Sequence, residues 1–331
     1  MKNIVVLYYD KNNDVRIYDL EFPIEGYVEF GHFQKILNPL RENYNLLLLN
    51  DHSKSIDYFV QNKDKIDLVL NLADNGYEND FSNNAFFIEL FNALGIKYTG
   101  RQANNVEFFE KKDLMLYLFD YIGINFPNTV VYYPGINLKF LEQKVNTLKF
   151  PVMVKMGISG DSLLLDENSI CNSFKEVINR IEYIEKTLGE KNVVLIQEFI
   201  ENAREYTTLV VGNHICNDVR AFTIKVTPIK FYDFEQKNYS DAPVEEYYHK
   251  CDIENTDLLK NIENKLIYLK KITDCKDYVR YDWLLDQDDE FYLLDLNANP
   301  SFDSSVFRLY REYYEVDGSI IGHIINSALK R

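Results

Sequence analysis

The sequence is poor in the residues that build disulfides, zinc sites and histidine-dependent catalytic sites. Its 331 residues include only 4 cysteines and 5 histidines. The cysteines share no CxxC-type spacing, and the histidines are scattered singly along the chain. Disulfides, structural zinc and a histidine-centred active site are therefore not expected. A reducing cytoplasm is the expected location.

Basic charge and long apolar runs are also scarce. The 36 Lys and Arg residues face 52 Asp and Glu residues, which gives a formal net charge of −16. A general nucleic-acid binder normally presents a basic face, so a nucleic-acid partner is not expected. No apolar run approaches the length of a membrane span, so a membrane partner is not expected either. An acidic chain can still bind a small anionic ligand through a few clustered lysines and arginines, which leaves small-molecule chemistry open.

A chain of 331 residues exceeds what one hydrophobic core usually supports, so more than one domain is expected. Three stretches of the chain differ in their pattern of apolar and polar residues. Residues 1–103 alternate short apolar runs with polar helices, which predicts an N-terminal parallel α/β domain. Residues 104–199 predict a central antiparallel α+β lobe. Residues 200–331 predict a C-terminal lobe with β-type segments, one amphipathic helix and a hairpin. The fold class expected is therefore mixed α/β and α+β in three domains.

The hairpin contains the most informative polar residues. Asp282 and Asp295 can lie side by side on its two strands, and period-two alternation puts Asp295 and Asn297 on one face. Two carboxylates and an amide oxygen form a hard-oxygen set suited to Mg²⁺. The alternative is a solvated hairpin with acids at its rim, but Asp282 and Asp295 interrupt apolar strands, where an unpaired charge is costly. We expect that a bulge or twist is needed to bring Arg280 into the same pocket as Asp282.

A second candidate site is a loop rich in small residues. Lys155 ends an apolar strand and is followed by a segment that contains Gly160 and Ser162. Free backbone N–H groups in such a loop can surround phosphate oxygens, and a lysine at its base adds positive charge. The loop is not a Walker motif, because no GK[ST] follows its glycines. An ordinary surface loop is the alternative.

Two further segments are compatible with nucleotide binding. The first comprises Gln197, Glu198, Phe199 and Ile200, at the end of a predicted strand. Their backbone groups could meet the edge of an adenine, and the carboxylate of Glu205 could accept hydrogen bonds from ribose hydroxyls.

The second segment, residues 231–237, contains Tyr232 and Lys237 among aromatic and acidic residues. Its alternative interpretation is an exposed loop in which Lys237 is merely solvated.

In this order, the motifs resemble the ATP-grasp superfamily and, within it, the D-alanine–D-alanine ligase-like branch. The resemblance runs from about residue 66 to the end of the sequence. It rests on the similarity of residues 93–100 to a "GIPYTG" ending, of 111–127 to a DK…GIPxP segment, and of 150–155 to a PVxVK strand. It rests also on the likeness of residues 232–237 to a YDYExK loop, of 280–282 to an RxD strand, and of 295–300 to an E-x-N-x-x-P strand.

The resemblance implies a three-domain ATP-grasp fold in which two antiparallel lobes hold ATP between them. It implies Mg²⁺ on Asp282, Asp295 and Asn297, with two ions expected and Mn²⁺ as a substitute. Lys112, Lys155 and Lys237 would hold phosphates, and Arg280 would stabilise an oxyanion. The expected reaction joins a small-molecule carboxylate to an amine through an acyl-phosphate, and releases ADP and phosphate. A homodimer is expected from the family alone.

The departures from the family pattern concern the amino-acid pockets. The serine that would hold a second D-alanine is Val306, an N-terminal GGxSxE motif is absent from residues 1–30, and residues 73–80 replace an HGxxGEDG loop. The metal-bridging glutamate is the shorter Asp295. We therefore expect a substrate that is an amino acid or a similar molecule other than D-alanine. The alternatives are a true D-alanine–D-alanine ligase with divergent pockets and a non-catalytic ATP-binding module.

Overall fold

The computed structural model describes most of the chain, and for residues 9–10, 15–17, 20–22 and 27–28 it describes the backbone alone. The described residues are 1–10, 15–17, 20–22, 27–28, 37–50, 52–73, 77, 83, 85–102, 108–109, 111–157, 164–189, 191–227, 247–298, 300, 310, 313–314 and 320–331.

The N-terminal region is built on a parallel sheet in the order β6–β1–β7. Its strands are β1 (Lys2–Leu7), β6 (Tyr44–Leu49) and β7 (Leu68–Asn71). Two short pairs lie between β1 and β6 in the sequence: β2 (Tyr9–Asp10) with β5 (Tyr27–Val28), and β3 (Val15–Ile17) with β4 (Leu20–Phe22). Helices α1 (His52–Asn62) and α2 (Phe86–Leu94) belong to the same region. The parallel α/β prediction for this region is confirmed.

The middle of the chain forms an antiparallel sheet in the order β10–β9–β11–β8. Its strands are β8 (Thr129–Tyr132), β9 (Val152–Met156), β10 (Ile170–Cys171) and β11 (Val194–Glu198). Its helices are α3 (Lys112–Tyr121), α4 (Leu138–Val145) and α5 (Phe174–Leu188). The apolar face of α5 packs on one side of this sheet, in a core that includes Val154, Val177 and Ile196.

The C-terminal region contains an antiparallel sheet in the order β14–β13–β12–β15–β16. Its strands are β12 (Arg204–Val211), β13 (Arg220–Val226), β14 (Tyr248–Lys250), β15 (Tyr278–Leu285) and β16 (Phe291–Asn297). The same region contains two helices, α6 (Thr256–Ile272) between β14 and β15 and α7 (Ile320–Lys330) after β16. Short 3-10 turns are found at Asn38–Glu42, Lys63–Lys65, Glu167–Ser169 and His214–Cys216.

Packing of the two faces of the C-terminal sheet links the regions. One face packs on α6 and also receives Met115 and Phe119 from α3. The other face, through Leu209 and Ile224, shares a core with α7 and with the N-terminal sheet. Helix α7 therefore lies in the core between two sheets. The candidate site lies at the polar end of the sheet face that contains Leu209 and Ile224. No helix within the described ranges is both long and apolar enough to cross a membrane.

Candidate functional site

The polar end of the C-terminal sheet brings the predicted hairpin residues together. Asp282 of β15 lies directly opposite Asp295 of β16, and Arg280 lies opposite Asn297. The buried residues of β15 alternate with Arg280, Asp282 and Leu284, which are partly exposed on the other face. Directly opposed residues have Cβ atoms about 4.5–5.5 Å apart, so these side chains share one small area.

The expectation that Arg280 and Asp282 need a bulge to share a pocket was wrong. Residues two apart on a strand already project from the same face, and Nη2 of Arg280 lies 3.1 Å from Oδ2 of Asp282. A register shift does occur, but in the partner strand: Asp282 pairs with Asp295, and Trp283 pairs with Leu293. Leu294 is therefore the extra residue. In a regular strand that paired Leu294 as well, Asp295 would share the buried face of Leu293, so the bulge is what turns Asp295 and Asn297 toward the site.

Two lysines from the middle of the chain reach this area. Lys112 is the first residue of α3, and its Nζ lies 2.8 Å from Oδ2 of Asp295. Its backbone N–H donates to the carbonyl oxygen of Gly157, 2.9 Å away, which ties the start of the helix to the end of β9. Lys155 lies in β9 between the buried residues Val154 and Met156, so its side chain projects from the opposite face of that sheet.

The charges in this area act on one another. Burial lowers the pKa of Lys155, the positive charge of Lys112 lowers it further, and Asp295 and Glu205 oppose both effects, so the pKa lies at about 8. Burial raises the pKa of Asp295, but the charge and hydrogen bond of Lys112 and the charge of Lys155 outweigh it, and the net pKa is lowered. Asp295 is therefore an ionised carboxylate between two lysines. A site with this balance can bind a polyanion and a divalent cation together.

The predicted adenine-binding segment is anchored by its own hydrogen bonds. The Gln197 side chain is 4% exposed, and its Nε2 donates to Oγ1 of Thr129 at 2.9 Å. The Glu198 carboxylate accepts from the backbone N–H of Lys149 at 2.7 Å. The Phe199 N–H donates to the Pro151 carbonyl at 3.0 Å, and Phe199 and Ile200 are partly exposed. The side chains of Gln197 and Glu198 hold the strand end in place, so any contact with a ligand here would use the backbone.

Several predicted site residues lie outside the described residues. These are Gly160, Ser162, Tyr232 and Lys237, together with Val306 and most of the 73–80 segment in which the family pattern changes.

The structure adds Thr207 and Tyr310, which the sequence analysis did not select. Thr207 lies opposite Asp282 in the β12–β15 ladder and is 3% exposed. The Tyr310 hydroxyl donates to Oγ1 of Thr207 at 3.1 Å. Strand alternation from Glu205 would have placed Thr207 on the same face. No sequence pattern pointed to Tyr310, because its contact with Thr207 spans 103 residues.

The donor set of the site fits a magnesium ion. Asp282 and Asp295 supply two carboxylates with 25% and 29% of their side-chain surface exposed, and Asn297 supplies an amide oxygen. Mg²⁺ uses few protein ligands and completes its octahedron with water and phosphate oxygens. Across the described ranges no cluster of three or more His, Cys, Asp or Glu could hold a metal, so this mixed carboxylate–amide set is the candidate.

Comparison with known proteins gives one consistent result. The family model described as "D-ala D-ala ligase C-terminus" matches residues 118–329. A curated relative, the D-alanine–D-alanine ligase of Staphylococcus saprophyticus subsp. saprophyticus, is 27% identical over 251 residues. That alignment covers 73% of this chain and 65% of the relative.

Solved structures are similar in fold. The D-alanine–D-alanine ligase from Bacillus anthracis complexed with ATP aligns with a TM-score of 0.68 at 15% identity, covering 100% of this chain and 98% of that chain. The VanG D-Ala:D-Ser ligase from Enterococcus faecalis aligns with a TM-score of 0.68 at 14% identity, covering 99% of this chain and 98% of that chain. The expected fold class is confirmed.

Proposed function

The chain belongs to the family described as D-ala D-ala ligase C-terminus, and from this premise we propose that it is an ADP-forming ligase that joins a carboxylate to an amine. The observation that carries the proposal is the convergence of Lys112 and Lys155 from the middle of the chain on Asp295 of the C-terminal sheet. A triphosphate needs positive charge for its oxygens and a carboxylate for its metal, and this is where the chain has both.

In the proposed reaction a substrate carboxylate oxygen attacks the γ-phosphorus of ATP, and ADP leaves. The amine nitrogen of the second substrate then attacks the acyl carbon of the acyl-phosphate, and inorganic phosphate leaves as the amide forms. Lys112 and Lys155 would orient the phosphates. Arg280, on the same face as Asp282, would stabilise the oxyanion of the second step. Lys237, outside the described residues, is proposed to contact the transferred phosphate.

Asp282, Asp295 and Asn297 would hold Mg²⁺, one or two ions, with Mn²⁺ as a substitute. The bound metal would neutralise charge on the phosphates. Both carboxylates already have cationic partners, Arg280 and Lys112. Lys112 would therefore exchange Asp295 for a phosphate oxygen when nucleotide binds. This exchange would leave Asp295 free as a metal ligand at the moment when the metal–nucleotide complex arrives.

The adenine and ribose would lie along the end of β11 and the start of β12. We propose that the backbone at Glu198, Phe199 and Ile200 meets the adenine edge, with Gln197 holding the strand from behind. Glu205 would accept hydrogen bonds from ribose hydroxyls, Gly160 and Ser162 would contribute to phosphate binding, and Tyr232 would close over the nucleotide. The charge of Glu205 already acts on Lys155, which supports its placement beside the phosphates.

D-alanine is the first candidate for the carboxylate substrate. The changed pockets led us to expect a different amino acid, but the comparisons do not support a substrate other than D-alanine. The curated relative is named a D-alanine–D-alanine ligase, and the VanG neighbour is named a D-Ala:D-Ser ligase. The second substrate is proposed to be an amino acid or a similar small amine. Small-molecule substrates and a cytoplasmic location are part of the same proposal, and a homodimer stays a prediction from the family.

A screen of ADP and phosphate release tests the reaction. The purified chain would be incubated with ATP, Mg²⁺ and pairs of L- and D-amino acids, with mass spectrometry of the products. Phosphate release that requires a pair of substrates and accompanies formation of their amide product supports the ligase. Nucleotide binding without release in any pair would favour a non-catalytic ATP-binding module.

Asp295→Asn tests the site with almost no change in side-chain shape. ADP formation is expected to fall by about 100-fold or more, because a neutral amide replaces a charged metal ligand. Asp289→Asn is the matched control on the same hairpin. Its ion pair with Arg204 is exposed, so kcat is expected to stay within about twofold. Equal activity of both variants would remove Asp295 from the mechanism.

A further inference from the structure

Tyr310 places a phenol hydroxyl at the border between the polar and apolar halves of one sheet face. Along β12 this face passes from Glu205 through Thr207 to Leu209, and Leu209 belongs to the core shared with α7. The Tyr310 ring is 1% exposed and belongs to that same core. Its hydroxyl lies 3.1 Å from Oγ1 of Thr207, where the polar half begins. The ring is thus fixed by packing, and the hydroxyl is directed to the site.

Thr207 connects this hydroxyl to the candidate active site. Thr207 is the direct partner of Asp282 across the β12–β15 ladder. Oγ1 of Thr207 accepts the hydrogen bond from the Tyr310 hydroxyl, so the threonine keeps its own O–H as a donor. Directly opposed strand side chains lie within contact distance of one another. The threonine side chain is therefore a neighbour of the Asp282 side chain, whose carboxylate is in turn paired with Arg280.

Electrostatics independently place Tyr310 beside these charged groups. Burial raises the pKa of Tyr310, the Thr207 hydrogen bond and the charge of Arg280 lower it, and the charge of Asp282 raises it. The hydroxyl is thus close enough to sense both members of the Arg280–Asp282 pair.

We propose that Tyr310 and Thr207 are positioning residues that hold the Arg280–Asp282 pair in the geometry required by the ligase reaction. The inference rests on the proposed function and names residues that it did not include. A buried hydroxyl without a partner is costly, so the Tyr310–Thr207 bond restricts the orientation of both side chains. A restricted threonine in turn limits the rotamers open to Asp282. Arg280, paired with that carboxylate, is then held where an oxyanion would form.

The test uses variants that remove single hydroxyl groups. Tyr310→Phe and Thr207→Val remove the two ends of the bond, and the double variant removes both. Thr207→Ser keeps the hydroxyl and serves as the rescue variant. Tyr281→Phe is the matched control: Tyr281 is fully buried on the opposite face of the same sheet, and no described residue bonds its hydroxyl. For each variant, kcat, KM for ATP, the melting temperature and Mn²⁺ affinity with a non-hydrolysable ATP analogue would be measured.

We expect Tyr310→Phe and Thr207→Val each to lower kcat by about tenfold, because small misplacements of reacting groups have large effects on rate. The KM for ATP is expected to stay within about twofold, and the double variant to lose no more than either single variant. Thr207→Ser should recover most of the activity, and Tyr281→Phe should match the wild type. In Tyr310→Phe, Mn²⁺ affinity is expected to weaken several-fold together with the loss in kcat, because both depend on the position of Asp282.

Other outcomes separate the two proposals. A lower melting temperature in Tyr310→Phe with unchanged kcat and Mn²⁺ affinity would show a merely structural tyrosine and overturn the positioning role. If the wild type binds Mn²⁺–nucleotide but turns over no substrate pair, the proposed reaction fails. In that case, weaker Mn²⁺ binding in Tyr310→Phe than in Tyr281→Phe would still support the positioning role, and equal binding would overturn it.

Discussion

Lysines in two different settings both have pKa values of about 8. For Lys155 the causes are burial and the nearby charge of Lys112, at a site where Asp295 and Glu205 act in the other direction. Lys270 is 1% exposed in the core and donates to the carbonyl oxygen of Cys275. Burial lowers its pKa. The charges of Cys275 and Asp277 raise the pKa, and those of Lys276 and Arg331 lower it. Lys155 is proposed to bind the phosphates of ATP, whereas Lys270 has a structural position in the core.

The burial of Lys270 predicts a pH dependence of stability. Its folded pKa of about 8 lies below its ordinary value of 10.5, so the unfolded chain binds more protons between these values. Stability from this residue therefore rises as the pH increases through that window. Between pH 7.5 and 9.5 the rise is about 2 kcal/mol.

Lys270→Met should remove this rise, because methionine does not titrate. The measurement is the free energy of unfolding by urea at both pH values, taken as the wild-type change minus the variant change. Lys271→Met, at the exposed neighbouring position, is the control and should keep the wild-type slope. A difference near zero for Lys270→Met would contradict the low pKa.

At the scale of the element, the β15–β16 hairpin accommodates one extra residue in a bulge. Leu293 is buried, Leu294 is the unpaired residue of the bulge, and Leu296 is buried again. The phase of the strand changes at Leu294, so that Asp295 and Asn297 appear on the face of Asp282. A regular strand with this sequence would have directed both polar residues into the apolar core.

Deletion of Leu294 should therefore leave the site in place. Without the bulge residue, regular alternation keeps Leu293 and Leu296 on the buried face and Asp295 and Asn297 on the face of Asp282. We expect Mn²⁺–nucleotide binding and ADP formation to be retained, and circular dichroism should show that the fold is intact. Leu294→Ala keeps the bulge and is the control, with the same outcome expected. A deletion variant that folds but no longer binds Mn²⁺–nucleotide would refute this account of the bulge.

At the scale of the whole molecule, a buried polar network joins distant parts of the chain. Asp277 is 0% exposed, and its carboxylate accepts from the backbone N–H of Gly100, from the Asn213 amide at 2.8 Å and from the Arg331 guanidinium at 2.9 Å. Gly100 follows the N-terminal sheet, Asn213 follows β12, and Arg331 follows α7. Helix α7 is thus tied to both of the sheets between which it packs.

Arg331→Met should destabilise the whole molecule by leaving Asp277 buried without its charged partner. Such a loss costs about 3–5 kcal/mol, and we expect about 3 because Asn213 and Gly100 still donate to the carboxylate. Chemical denaturation would give the free energy of unfolding, with Lys330→Met as the exposed control. A loss below 1 kcal/mol would show that the arginine contributes little.

The division of the chain into domains at residues 103 and 199 stays a prediction. Packing crosses both boundaries, because α3 packs on the C-terminal sheet and α7 packs against the N-terminal sheet.

Local pattern determined most of the elements. Periodicity predicted the amphipathic helix and the hairpin of the C-terminal region, which are α6 and the β15–β16 pair. Backbone alternation and helical periodicity are local, so a single sequence contains them. Alternation also placed Asp295 and Asn297 on one face, as the structure does, but it did not predict the bulge that turns this face toward Asp282.

Only the tertiary structure decided which distant groups meet. The Lys112–Asp295 ion pair spans 183 residues, the Tyr310–Thr207 bond spans 103, and the packing of α7 between two sheets depends on the whole chain. The bulge at Leu294 was equally hidden, because its register is set by the partner strand and the core beneath it. Local periodicity specifies the face of an element, whereas long-range packing selects the element that covers this face.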